Sequence, residues 1–333
     1  MRHMRRYTRI TAILGALLLV ALSGCKSPAP EGEPALIGVR TSNCQSPFFI
    51  ADKQGLYEKA GVKAEVQLIL SNTEIIEAAQ RGDLQMGSLP ITTAIAAISR
   101  GTDIIIVAGS GRGTDGILTK AEDGYTSIAD LRGKKIATIR GSILDVPLRV
   151  ALEQEGLDPE SDVTLVYFNK LGDMISALKT GQVDASSNTE PFMTEAVRQG
   201  WGHILGYYTE QWPDHPCCIL FAQREFAEKY PDQLEKILQV HLQAVEYAND
   251  HPEENAACIV EYLGAFDEEL VCASLAPEKG RRDAAISADE VVRMAEYMYQ
   301  YDMIDQVPPA EKLVDLSYLQ RAQQTLRAQK ASK

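Results

Sequence analysis

The residues best placed to do chemistry sit where a short apolar run gives way to a helix start. Arg140-Gly141-Ser142-Ile143 follows the run from Lys135 to Ile139. Its glycine permits close backbone approach, and its serine can cap a helix or donate a hydrogen bond. Pro47, Pro90 and Pro191 each mark a helix start, because proline's missing N–H is unpaired at the first helical position anyway. The first turn of a helix carries free N–H groups and a partial positive charge. Several such ends converging on a gap make a site for an anionic group without a cofactor or a metal. In open parallel sheets, ligands bind at these joins, beyond the carboxyl ends of the strands.

The candidate ligand contacts follow from that rule. Asn43, Cys44 and Ser46 precede or open the Pro47 helix, Leu89 precedes Pro90, and Gly141 and Ser142 form the fourth join. Asn and Ser also favour turns for their own backbone hydrogen bonding, so turn chemistry alone is the alternative there. Ser110 and Arg112 lie in Gly109-Ser110-Gly111-Arg112-Gly113-Thr114, where the guanidinium can grip an oxyanion with two parallel bonds or simply face solvent. Glu190 would favour an amine or amidine, although a carboxylate at a helix N-terminus is stabilising by itself.

Five cysteines follow Cys25: Cys44, Cys217, Cys218, Cys258 and Cys272. Cys258 and Cys272 could bridge two helices across the Gly264 turn or remain buried thiols. Cys217-Cys218 after His215-Pro216 invites a metal or redox reading. The expectation is no metal and no cofactor, because adjacent residues on a strand point to opposite faces and no second ligand pair at zinc spacing is present. A disulfide from Cys44 to one of the two is the minor alternative.

The elements that must position these residues alternate strand and helix. Ala35 to Val39, Lys63 to Leu70, Leu84 to Ser88 and Ile104 to Ala108 read as strands, and Ser71-Asn72-Thr73-Glu74 is a capping-box pattern ahead of an apolar helix face. A second series repeats the rhythm from Gly116 to Gln199, and helices are expected at Pro231 to Asn249, Pro252 to Leu263 and Ser287 to Tyr301. Two stretches resemble each other: AAQRGDLQMGSLPITTA and ALKTGQVDASSNTEPFMTEA align Gly82 with Gly181, Leu84 with Val183 and Pro90 with Pro191. Each half therefore carries the same helix, glycine, strand and proline module.

The start of the chain has its own pattern. Arg2, Arg5, Arg6 and Arg9 precede an apolar run from Ile10 to Leu22, and Leu22-Ser23-Gly24-Cys25 resembles the bacterial lipobox. The expected division is a lipoprotein signal peptide at 1–24, a lipid-attached Cys25 with a tether to 34, lobe 1 at 35–112, lobe 2 at 113–214, and a mostly helical return to lobe 1 at 215–333. The chain carries 33 Lys and Arg against 46 Asp and Glu, a formal net charge of −13, which argues against a nucleic-acid partner.

Gly55-Leu56-Tyr57 with Gly61-Val62, Gly82-Asp83-Leu84-Gln85-Met86-Gly87, Leu131-Arg132-Gly133-Lys134-Lys135-Ile136-Ala137, Gly141-Ser142 and Gly181-Gln182-Val183-Asp184-Ala185 occur in a family order. The chain resembles the nitrate, sulfonate and taurine type of periplasmic binding proteins, which includes binders of thiamine-pyrimidine precursors. That resemblance implies a type II two-lobed α/β fold, with two mainly parallel sheets flanked by helices, two crossings and a ligand cleft between the lobes. It implies a non-catalytic protein that hands a small polar or anionic solute to an ABC permease, the start of the chain adds export and a lipid anchor at Cys25, and the protein is expected to be a monomer.

An enzyme of the thiamine-pyrimidine-synthase type on the same scaffold is the alternative, but the His-rich and Cys-rich segment expected of one is absent. A ligand-sensing lipoprotein is the third reading.

Overall fold

The computed structural model describes residues 34–332 apart from Thr41, so the expected signal peptide, the expected lipid attachment at Cys25 and the expected tether as far as residue 33 lie outside the described residues. Among the described residues, eleven strands are distributed over two sheets. β1 (Ala35–Val39), β2 (Ala64–Leu68), β3 (Met86–Pro90), β4 (Ile104–Gly113), β10 (Pro216–Gln223) and β11 (Gly280–Arg281) form the first, in the order β11-β4-β10-β3-β1-β2. β5 (Asp115–Lys120), β6 (Lys135–Thr138), β7 (Thr164–Tyr167), β8 (Ala185–Thr189) and β9 (Gly202–Tyr207) form the second, in the order β7-β6-β8-β5-β9.

Both sheets are mixed. β1 pairs parallel with β2 and β3, while β10 runs antiparallel to β3 and β4. β6 likewise pairs parallel with β7 and β8, and β5 runs antiparallel to β8 and β9. The repeated module thus occupies equivalent places: β3 and β8 each sit between a parallel neighbour and an antiparallel crossing strand. The helix before each ends at a left-handed glycine, Gly82 at φ 84° and Gly181 at φ 75°, where a side chain would strain the turn.

Local chemistry explains the boundaries. Ser71 Oγ accepts from Glu74 N at the start of the helix Asn72–Arg81, and Ser287 and Glu290 cap the helix Ala288–Gln300 reciprocally. The prolines fall one residue away from their expected place. Pro47 is the second residue of the helix Ser46–Lys53, whereas Pro90 and Pro191 immediately precede the helices Ile91–Ser99 and Phe192–Arg198. The helix expected from Ile143 begins only at Val146, because 141–145 close into a turn in which Gly141 N donates to Asp145 Oδ2 at 2.9 Å.

The chain leaves the first sheet at the end of β4, turns at Thr114 with φ 77°, and enters the second sheet at once with β5. It returns between Tyr207 and Pro216. β4 is buried along its whole length, so this passage is packed rather than a free linker. The helix Pro231–Asp250 places Leu234, Ile237, Leu238 and Ala244 in one core with Phe48, Phe49 and Ile50 of the helix Ser46–Lys53. No helix among the described residues is long and apolar enough to cross a membrane.

Candidate functional site

The residues that precede the first helix are drawn into a buried polar cluster. Ser110 Oγ donates to the Cys44 carbonyl at 2.7 Å, Ser46 Oγ donates to the Asn43 carbonyl at 3.0 Å, and Gln45 Nε2 donates to the Ser88 carbonyl at 3.1 Å. These bonds join the carboxyl ends of β1, β3 and β4. Leu89 pairs with Ile219 at the same end of β3 and is fully buried. Asn43 Nδ2 donates to Ser274 Oγ, but Asn43 Oδ1, Ser42 Oγ, Ser88 Oγ and Thr92 Oγ1 are buried with no hydrogen-bond partner in the chain. Buried polar atoms are nearly always paired, so four of them at two strand-to-helix joins call for a reason.

At the crossing, Thr189 Oγ1 donates to the Thr114 carbonyl at 3.0 Å, which ties the end of β8 to the turn between the sheets. His215 Nε2 lies 3.4 Å from Asp115 Oδ2, and both side chains are fully buried. Burial pushes the Asp115 carboxyl up from its ordinary range, against the hydrogen bond from His215. Sequence reasoning missed Thr114, Asp115, Thr189 and His215. A non-glycine residue with positive φ at a sheet crossing leaves no mark in composition or periodicity.

Gly141 and Ser142 belong to the second sheet's side and keep to their own turn, where Ser142 Oγ accepts from Leu144 N at 3.0 Å. Among the described residues, no hydrogen bond links them to the Asn43 cluster. Beside them, an open cavity of about 410 Å³ is lined by Arg140, Arg149, Glu153, Gln300, Tyr301 and Asp302, between the helices Val146–Gln154 and Ala288–Gln300.

Two charged candidates are committed within the chain. Arg112 Nε donates to Asp283, Nη1 to Glu290 and the Asp214 carbonyl, and Nη2 to Glu290 and the Ala285 carbonyl. The fork is therefore a strut between β4 and the helix Ala288–Gln300, and not the open oxyanion clamp expected of it. Glu190 is buried, with Oε2 accepting from Thr194 N at 3.1 Å and Oε1 from Tyr207 OH at 2.5 Å. Its positive neighbour is Lys279, at 3.9 Å.

The cysteines need a correction. Cys217 and Cys218 were expected to point apart, but the register of β10 against β4 slips between Pro216 and Cys218 and again after Cys218. A bulge of this kind re-aims side chains. The Cys217 and Cys218 sulfurs lie 3.8 Å apart, and Cys217 Sγ is 4.0 Å from Cys44 Sγ. All five described cysteines are free thiols, Cys258 and Cys272 among them.

Comparison with known proteins gives the same architecture. A protein of Bacillus subtilis named for binding aliphatic sulfonates is 26% identical over 332 residues, covering 92% of this chain and 96% of its own length. The crystal structure of the periplasmic aliphatic sulphonate binding protein SsuA from Escherichia coli superposes with a TM-score of 0.75 at 21% identity, over 86% of this chain and 92% of that one. The periplasmic nitrate-binding protein NrtA from Synechocystis gives a TM-score of 0.77 at 17% identity, over 90% of each chain. The fold is that of the type II periplasmic binding proteins. With its residues 28–264 matched by the family model, the chain belongs to the NMT1-like family.

Proposed function

We propose that this protein is the solute-binding lipoprotein of an ABC importer. It captures a small polar or anionic organic solute between two lobes and delivers it to a membrane permease. Lobe 1 comprises 35–112 and 215–333, lobe 2 comprises 113–214, and Cys25 carries the lipid that holds the body to the extracytoplasmic face of the membrane. Residues 1–24 direct export. The solute classes are sulfonates, nitrate-type anions and pyrimidine precursors. The relatives named for sulfonate and nitrate binding support that choice.

The observation that carries this reading is the set of unpaired buried oxygens at the joins after β1 and β3. A ligand that donates to Asn43 Oδ1 and exchanges hydrogen bonds with the Ser42, Ser88 and Thr92 hydroxyls would remove a desolvation penalty of about 1–3 kcal/mol for each group. Asn43, Cys44, Ser46, Leu89 and Ser110 would approach it from lobe 1, and Gly141, Ser142 and Glu190 from lobe 2. Arg112 would act by holding β4 in place. No catalytic residue is assigned.

A thermal-shift screen over alkanesulfonates, nitrate, bicarbonate, aromatic acids and aminopyrimidines tests the proposal. One class should stabilise the protein, and small-angle scattering should show compaction with that compound recovered unchanged. Chemical conversion of the captured compound, or binding without compaction, would overturn it.

A further inference from the structure

Three sulfurs meet in the interior of the first lobe, beside the crossing to the second. Among the described residues, the one group of three or more His, Cys, Asp or Glu side chains whose ligand atoms all lie within 4.8 Å of one another is Cys44, Cys217 and Cys218. The geometry points to a three-coordinate site for a soft monovalent metal ion of the copper(I) class, held by these three sulfurs. The inference goes beyond the solute-binding reading and does not depend on it.

The backbone is built to bring the thiols together. The slipped register of β10 turns both Cys217 and Cys218 toward the 3₁₀ turn that carries Cys44. On β4, Gly111 leaves the room that Cys44 occupies: a Cβ there would lie 2.5 Å from Cys44 Sγ and 2.7 Å from its Cβ. The three cysteines are 3–5% exposed. Neither strand bulge nor glycine is needed for a generic apolar core, in which a cysteine packs as a small hydrophobe.

The separations suit a shared metal. Sulfurs held at about 2.3 Å from one ion stand roughly 3.8–4.0 Å apart between tetrahedral and trigonal geometry. The observed pairs are 3.8 Å and 4.0 Å. Thiolates select soft ions, and a closed zinc site would need a fourth protein ligand, which this cluster lacks.

Loading is a ligand exchange without electron transfer. Three metal–sulfur bonds form, the S–H protons pass to solvent, and copper enters and stays monovalent.

The test uses the detergent-solubilised full chain, reduced and kept anaerobic, titrated with copper(I) against a chromogenic copper(I) chelator. One ion per chain should be retained, and copper K-edge absorption should resolve three sulfurs in its shell. Cys44→Ser, Cys217→Ser and Cys218→Ser should each abolish retention, whereas Cys258→Ser and Cys272→Ser should leave it intact.

The absorption spectrum of the unaltered protein decides the matter even if a serine variant misfolds. A shell with fewer than three sulfurs, or surrender of the ion to the chelator, would overturn the assignment. So would a disulfide among the three in thiol-blocked protein taken from its own cells, or tetrahedral cobalt(II) binding that copper(I) fails to displace.

Discussion

Arg112 and Glu290 form a two-pronged ion pair between β4 and the helix Ala288–Gln300. Nη1 lies 2.5 Å from Oε1 and Nη2 lies 3.3 Å from Oε2, and the same carboxylate accepts from Ser287 N at 2.7 Å. One carboxylate thus caps the helix Ala288–Gln300 and anchors it to β4. The Arg112 side chain is only 8% exposed. Removing one partner of such a pair strands the other, so Arg112→Ala should cost about 3–5 kcal/mol. Urea denaturation at neutral pH checks this. A loss below about 1 kcal/mol would mean that the strut is no stronger than a surface pair.

The pair also sets a pH dependence. Burial pushes the Glu290 carboxyl up, but hydrogen bonds from Arg112 and Ser287 outweigh it and hold the group below its ordinary range. A depressed carboxyl contributes stability that is present above the unfolded value, near 4.3, and is lost as pH falls through the folded one. Glu290→Gln should therefore flatten the acid limb of the stability curve below about pH 4 while lowering stability at neutral pH.

His241 acts over a different window. It is buried against Phe48, with ring centroids 4.9 Å apart, and its Nε2 lies 2.8 Å from the Gly109 carbonyl. Burial lowers its pKa to about 4. Stability tied to the neutral ring is complete above the unfolded value of about 6.5 and drains as pH falls toward the folded one. The linkage gives a loss of about 2 kcal/mol between pH 8 and pH 5. His241→Gln should remove most of that slope in urea midpoints measured across the range. A variant with the wild-type slope would assign the titration to another group.

These groups show where the sequence was readable and where it was not. The strand and helix rhythm, the Ser71 cap and the Gly82 and Gly181 modules depend on neighbours within a few residues, so local pattern exposes them. Arg112 was misjudged because its partners, Asp283 and Glu290, arrive from the far end of the chain. The rule that adjacent strand residues point apart failed at Cys217 because a register slip is a property of two paired strands. Arg149 gives a similar lesson. It packs fully buried on the second sheet's side, and beyond its neighbour Asp145, four residues earlier, its guanidinium donates to Tyr167 OH at 2.9 Å, a partner on β7 that local spacing does not announce.

Gly111 offers a test of packing at the cysteines. Its Cβ would collide with Cys44, and overpacking of this kind costs about 1–3 kcal/mol. Gly111→Ala should be destabilised by that amount, and adding Cys44→Gly should recover part of it because the obstructing side chain is gone. The coupling, read from a double-mutant cycle of urea midpoints, should be favourable by at least about 0.5 kcal/mol. Strict additivity would show that the two positions do not press on each other.

The last prediction concerns closure and rests on the proposed solute-binding role. Gln300 Nε2 donates to Glu153 Oε1 at 3.3 Å, and the Arg149 guanidinium lies 5.3 Å from the Tyr301 ring centre. Gln300 and Tyr301 come from the return segment, while Glu153 and Arg149 stand on the helix Val146–Gln154. In the proposed solute-binding cycle, contacts made only with the lobes together bias the equilibrium toward the closed form. The hydrogen bond contributes about 1 kcal/mol and the cation–π contact about 0.5–2 kcal/mol. Gln300→Ala should therefore weaken solute binding by about fivefold and Tyr301→Ala by about two- to thirtyfold, both through faster release. Stopped-flow dissociation measures the effect. Faster release with unchanged association is the expected signature, whereas unchanged release in both variants would place the latch elsewhere.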